Sequence, residues 1–142
     1  MKKYFAILAI GLSFTAANAQ QIKQTQVPSS VRASFAKLYP GAKHPTWDKE
    51  NSQYEASYVN GQVKGSVLFD ADGKWSEREV AIPTNQLPRK SLQYLQKQYK
   101  GQLLKGAAKI TKSNGEVQYE AEIPGKEVFF TKDGLFIKAD RL

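Results

Sequence analysis

The sequence predicts an α+β fold in which two tandem units, each a helix followed by about four short strands, form one large antiparallel sheet with both helices on one face. Three observations carry this expectation. Residues 27–82 and 87–142 are two copies of one unit, the apolar period shifts from near 3.6 to 2 inside each copy, and Gly-containing turn pairs punctuate the chain after each helix. Val27-Pro28 answers Leu87-Pro88, Phe35 answers Leu95, and Tyr39 and Gly41 answer Tyr99 and Gly101. Tyr54-Glu55-Ala56 answers Tyr119-Glu120-Ala121, and Val67-Leu68-Phe69 with Asp72-Gly73 and Trp75 answers Val128-Phe129-Phe130 with Asp133-Gly134 and Phe136. What repeats is turns, apolar faces and helix starts, not nucleophiles, bases or metal ligands, so the chain describes a scaffold for binding rather than a chemistry.

Residues 1–19 have the form of a secretory signal. Lys2-Lys3 supplies a positive start, Tyr4 to Ala17 an apolar run too short to span a bilayer, and Ala17-Asn18-Ala19 a small-x-small cleavage site. Cleavage near Ala19 would leave a periplasmic or secreted protein beginning at Gln20, with no later apolar run long enough for membrane insertion. Residues 20–26 are polar and short, which predicts a frayed N-terminal tail.

Pro28 opens the first helical pattern, because its fixed φ suits the first turn, and Val31, Phe35, Leu38 and Tyr39 form one apolar stripe before Pro40-Gly41 ends it. Pro88 opens the second, with Leu92, Leu95 and Tyr99 on its stripe and Gly101 as its stop. Strands are expected around 43–49, 53–59, 62–70 and 74–82, then 107–113, 117–123, 126–131 and 135–140. Asn60-Gly61, Asp72-Gly73, Asn114-Gly115, Pro124-Gly125 and Asp133-Gly134 are the turn signals between them. Side chains alternate across a strand, so Glu55, Ser57, Glu120 and Glu122 should point away from Tyr54, Tyr58 and Tyr119. With both helices on the tyrosine side, the glutamate side is left partly open. Each unit alone is marginal in size and cysteine is absent, so apolar burial must stabilise the two together, as one core or one continuous sheet.

The series Val-Pro-x-x-Val-x-x-x-Phe-x-x-x-Tyr-Pro-Gly-Ala at 27–42, then Trp47, Tyr54-Glu55-Ala56 and Phe69-Asp70-x-Asp72-Gly73-Lys74-Trp75, repeated in order, resembles the PepSY-like family of secreted bacterial proteins, also called beta-lactamase-inhibitor-like. The resemblance spans both copies and implies a tandem helix-plus-four-strand module similar to inhibitors that clasp beta-lactamases across a concave sheet. It implies an inhibitor or binding module; no lactamase-contacting loop can be mapped onto this chain, and the cysteines that brace the true inhibitors are missing.

The residues themselves offer little for catalysis. One histidine, His44, and no cysteine cannot make a zinc site of the usual kind, and no Gly-x-Ser-x-Gly elbow accompanies the serines. Asp70-Ala71-Asp72-Gly73 begins like a calcium loop, but the twelfth position is Ala81 where a bidentate Glu is needed, so it reads as a hairpin turn. Glu55, Glu77, Glu79, Glu120 and Glu122 have spacings open to a carboxylate pair, but no constellation marks one of them as an acid against another. No cofactor motif is present, and a non-enzymatic protein is expected.

Two binding surfaces are expected instead. Tyr54, Tyr58, Tyr119 and Phe69 belong to the core, whereas Trp75 and Phe136 share strand parity with Glu77, Glu79, Lys138 and Asp140, which places them on a mixed face, either to anchor a partner there or to pack at the edge of the core. Trp75, Phe136, Glu77, Lys138, Glu55 and Glu120 form this candidate site, and its partner is another extracytoplasmic protein bound by a monomer through steric occlusion. The alternative uses charge. The net charge is +8, of which Lys2 and Lys3 contribute two, and residues 83–142 carry 11 basic and 6 acidic side chains against 8 and 7 in residues 20–82. Arg89, Lys90, Lys97, Lys100, Lys105, Lys109 and Lys112 occur in a run without an acid and would suit an anionic glycolipid or polysaccharide of the envelope; nucleic acid is not an expected partner outside the cytoplasm.

Overall fold

The computed structural model describes residues 19–142; the expected signal segment lies outside them apart from Ala19. Nine strands form one sheet in sequence order, every neighbour antiparallel. They are β1 (Ala19–Ile22), β2 (Thr46–Glu50), β3 (Gln53–Asn60), β4 (Val63–Phe69), β5 (Trp75–Ile82), β6 (Gly106–Lys112), β7 (Val117–Ile123), β8 (Lys126–Thr131) and β9 (Phe136–Arg141). Helix α1 (Ser29–Leu38) crosses from β1 to β2 and α2 (Arg89–Gln98) from β5 to β6, each preceded by a single 3-10 turn. The predicted fold class, with both helices on one face, is the observed one.

Residues 20–26 are not a frayed tail. Gln20, Gln21 and Ile22 pair with Lys49, Asp48 and Trp47, and Gln24–Gln26 form the 3-10 turn that Thr84–Gln86 form before α2. Ile22 occupies the place of Ile82, each packed against its own unit's core, so the repeat begins one strand earlier than the apolar pattern discloses. The pattern is silent there because an edge strand of four residues, three of them exposed, needs no alternation.

Pro28 and Pro88 sit one residue before the first helical turn rather than within it. Their extended ψ (142° and 140°) aims each carbonyl at the N–H four residues on, Arg32 at 3.1 Å and Leu92 at 3.2 Å. The expected stripes then face the sheet. Val31 and Phe35 meet Trp47, Ala56, Tyr58, Val67 and Phe69 in one buried cluster, while Leu87 and Leu95 meet Ala107, Ala121, Ile123, Val128 and Phe130 in a second. Phe35 contacts Trp47 edge-on at 5.6 Å between ring centres, and Tyr94 stacks on Phe136 at 4.9 Å. The units therefore share a sheet, not a core.

Both Asp-Gly turns dock under a helix start. The Ser30 hydroxyl donates to the Ala71 carbonyl at 2.8 Å, and a Cβ on Gly73 would lie 2.7 Å from the Ser30 carbonyl oxygen. Gly134, at φ +85°, is buried against Pro88 and Ser91, and a Cβ there would meet the Pro88 Cβ at 2.9 Å. Positive φ and close approach coincide, which only glycine satisfies. Gly125→Ala, at φ +72° in open space, should lose about 1–2 kcal/mol from strain alone. Gly134→Ala adds the clash and should lose about 3 kcal/mol or more, a difference that urea unfolding of the two variants would measure.

Candidate functional site

Strand register decides which side chains lie opposite the helices. Directly paired residues share a face, so Glu55 lies beside Leu68, Leu68 beside Glu77, and Ser66 beside Glu79. Across the joint between the units Glu77 faces Lys112 and Glu79 faces Ile110. Farther on, Ala108 pairs with Glu120, Glu120 with Phe129, Glu122 with Glu127, and Phe129 with Lys138. The expectation that Glu55, Ser57, Glu120 and Glu122 oppose the tyrosines is met, since Tyr54 pairs with Phe69 and Tyr119 with Phe130.

This face is open to helices and yet largely buried. Glu79 and Glu120 retain 2% of their accessible surface and Glu127 1%, interleaved with buried Leu68, Ile110 and Phe129. No helix of the described residues packs on them, so their burial comes from the side chains of neighbouring strands on the same face. One carboxylate oxygen each of Glu79, Glu120 and Glu127 has no hydrogen-bond partner.

Burial without partners favours the neutral acid. Desolvation, reinforced by Glu50 and Asp48, pushes Glu55 up to about 8, and the hydrogen bond between the Glu55 and Glu50 carboxyls keeps the proton on Glu55. Glu120 is raised to about 8 by burial, then by Glu127, Glu122 and Glu77; Glu127 is raised to about 7 by burial and by Glu122 and Asp140. Burial and the nearby Glu120, Glu55, Glu77 and Glu127 hold Glu79 well above its ordinary value. Lys112 tempers the same effect at Glu77.

Of the six residues expected to bind a partner, the structure brings together Glu55, Glu77, Glu120 and Lys138 on this face. Trp75 and Phe136 lie on the other. A bulge between Leu68 and Phe69 sets Trp75 opposite Phe69 but Glu77 opposite Leu68, and a second between Phe129 and Phe130 does the same for Phe136 and Lys138. Each bulge inserts one residue, Ser76 or Ile137, and reverses the parity beyond it. Trp75 then packs against the first core with the Arg78 guanidinium 3.9 Å over its ring.

The basic residues are divided as well. Lys112 lies on the helix-free face and pairs with Glu116 at 3.6 Å, Lys105 holds Glu122 at 3.2 Å, and Lys109 lies on the helix side between Val80 and Tyr119, whereas Arg89, Lys90, Lys97 and Lys100 belong to α2 and its end. His44 is exposed in the loop before β2. Among the described residues, no group of three or more His, Asp or Glu side chains could hold a metal ion, and no helix is long and apolar enough to cross a membrane. Sequence reasoning left Glu79 and Glu127 out of the site. Their signal was present in the parity: Glu79 stands two residues from Glu77, and Glu127 stands two from Phe129, opposite Glu122.

The model of the family described as "Putative beta-lactamase-inhibitor-like, PepSY-like" matches residues 13–64 and 52–138. Among solved structures, the fold is similar to a protein of Bacteroides eggerthii described as "putative periplasmic" (TM-score 0.73, 16% identity, 81% of this chain and 88% of that one). It is also similar to a DUF2874 family protein of Bacteroides uniformis (0.70, 20%, 80% and 88%) and to a BLIP-like protein of Bacteroides fragilis (0.62, 21%, 81% and 86%). A comparison with the curated proteins gives no match.

The raised carboxyls set the pH dependence of stability. An acid whose folded pKa exceeds its unfolded value of 4.5 binds more protons when folded, so it favours folding below 4.5 and its contribution is lost as pH rises toward about 8. The melting temperature should therefore fall by at least about 5 °C from pH 5 to pH 8 at constant ionic strength, and Glu79→Gln should narrow that difference, as scanning calorimetry would show. Trp75→Ala should lower the melting temperature by about 5 °C or more at either pH, because it removes core packing.

Proposed function

Because the chain belongs to the PepSY-like, beta-lactamase-inhibitor-like family, we propose that it is a non-enzymatic extracytoplasmic module that binds another protein through the helix-free face of its sheet and acts by steric occlusion. The observation that carries this reading is the burial of unpartnered carboxyls and apolar side chains on a face that no helix of the described residues covers. Such groups are costly to the fold, and a partner that pairs them would recover the cost on binding. Trp75 and Phe136, on the helix side, take no part in this contact, and Leu68, Ile110 and Phe129 are buried within the face rather than exposed as anchors. An extracytoplasmic location rests on the signal-like residues 1–19 and agrees with the description of the B. eggerthii protein.

Three features favour binding over catalysis. Glu55, Glu79, Glu120 and Glu127 are all raised by burial and by the like charge of neighbouring carboxyls, and the carboxylate paired with Glu127 across the strands, Glu122, is taken up by Lys105 at 3.2 Å. The cavity on this face, about 180 Å3, is smaller than usual substrate sites, and a larger one of about 500 Å3 at the first Asp-Gly turn, lined by Ser34, Lys37, Asp70, Lys74 and Ser76 among others, has a single carboxyl and no histidine in its lining. The lone histidine is exposed in the loop before β2 and lines neither cavity.

N-terminal sequencing of the exported protein should begin at Gln20, which leaves residues 20–22 of β1 to pair with β2; an intact Met1 would remove the extracytoplasmic reading. Immobilised protein should retain a discrete extracytoplasmic protein through a salt gradient. The double variant Ser57→Arg/Gln118→Arg, on the helix-free face, should lose that partner, and Lys97→Glu on α2 should keep it. Retention unaffected by the double variant, or lost only with Lys97→Glu, would place binding on the helix side and overturn the proposal.

A further inference from the structure

The helix-free face contains a cavity of about 180 Å3 between β5, β6 and β7. Its floor follows from side-chain size. Ala81 pairs with Ala108, and Gly106 precedes it on the same face, so the middle of three adjacent strands carries almost no side chain. Glu120 and Glu122 form one wall, since they pair with Ala108 and Gly106, and Lys64 stands at the rim.

The wall is chemically unfinished. Glu120 is 2% exposed and one of its carboxylate oxygens has no partner. Glu122 is held by Lys105 at 3.2 Å, and exposed Lys64 makes no ion pair among the described residues. The charged groups around Glu120 are mostly acids: Glu77 and Glu79 on β5, Glu122 on its own strand and Glu127 on β8, against Lys138 on β9 and Lys64 of β4 at the rim. The site is thus a small, acid-walled hole without a cation of its own at Glu120.

Building on the protein-binding reading above, we propose that this cavity receives one cationic side chain, an arginine or lysine projected by the partner protein, whose charge pairs with the Glu120 carboxylate. A guanidinium or ammonium suits the hole in volume and in charge, and its stem would lie on Ala81 and Ala108. A metal ion does not suit it, because no group of three or more ligating side chains converges among the described residues. Glu120 carries its proton up to about 8, so the cation must displace that proton as it enters. Affinity then rises with pH to about 8 and falls about tenfold for each unit below it.

The test is an amide NMR titration of the protein with N-acetyl-arginine N-methylamide, with the uncharged citrulline analogue as control. The arginine probe should give saturable shifts at Gly106, Ala108 and Glu120, and the citrulline probe none. Glu120→Gln should weaken the probe at least tenfold. Gly106→Val should do so by filling the hole, since a Cβ there reaches only ordinary contact with the Glu122 Oε2 at 3.6 Å and leaves the backbone unstrained. Exposed Glu116→Gln should have no effect. Binding that is equal for citrulline, insensitive to Glu120→Gln, or absent at pH 8 overturns the proposal. If the arginine probe fails while Ser57→Arg/Gln118→Arg still abolishes partner capture, the cationic anchor is wrong and the binding face stands. If the probe binds Glu120 but capture ignores that face, the protein partner is wrong.

Discussion

Six residue pairs between β5 and β6, from Glu77 with Lys112 to Ile82 with Ala107, join the two units, and the continuous helix-free face depends on this joint. The helix-side cores are separate, one under each helix. Only the backbone ladder makes the sheet continuous. It sets Glu79 of the first unit beside Ile110 of the second, two strands from Glu120, and so concentrates on one face acids that are far apart in the chain.

That surface is built against stability. A sheet buried on both faces is ordinarily apolar on both, and here the helix side obeys while the other side does not. Charged carboxylates cannot remain in such a place without partners, so they take up protons, and the folded chain has to hold acids in their neutral form at pH values where the unfolded chain would release them. Departures of this kind from an otherwise consistent scaffold are expected where a surface serves a second molecule.

The two copies agree where the fold needs them to and diverge where the site lies. Tyr54 and Tyr119, Val67 and Val128, and Phe69 and Phe130 keep equivalent places under the helices. On the open face Glu55 and Glu120 still correspond, and Leu68 with Phe129, but Ser66 answers Glu127, and Glu77 and Glu79 answer Lys138 and Asp140. The two copies together make the sheet, and the carboxyl-walled hole around Ala81, Gly106 and Ala108 lies at the seam between them.

By itself the sequence determined the repeat, the two helices, the turns and the face on which Glu55 and Glu120 lie, because these follow from periodicity and turn chemistry within a few residues of each position. Element boundaries came within a few residues: the strand expected at 43–49 is Thr46–Glu50, and that at 107–113 is Gly106–Lys112. Three matters were decided only in three dimensions. Two bulges, invisible to a period-two pattern, turned Trp75 and Phe136 to the helix side. An edge strand with no alternation of its own gained its structure from β2. The burial of Glu79, Glu120 and Glu127 came with the register of neighbouring strands, because solvation depends on which strands meet, and pairing between distant segments is not written in the local pattern of either one.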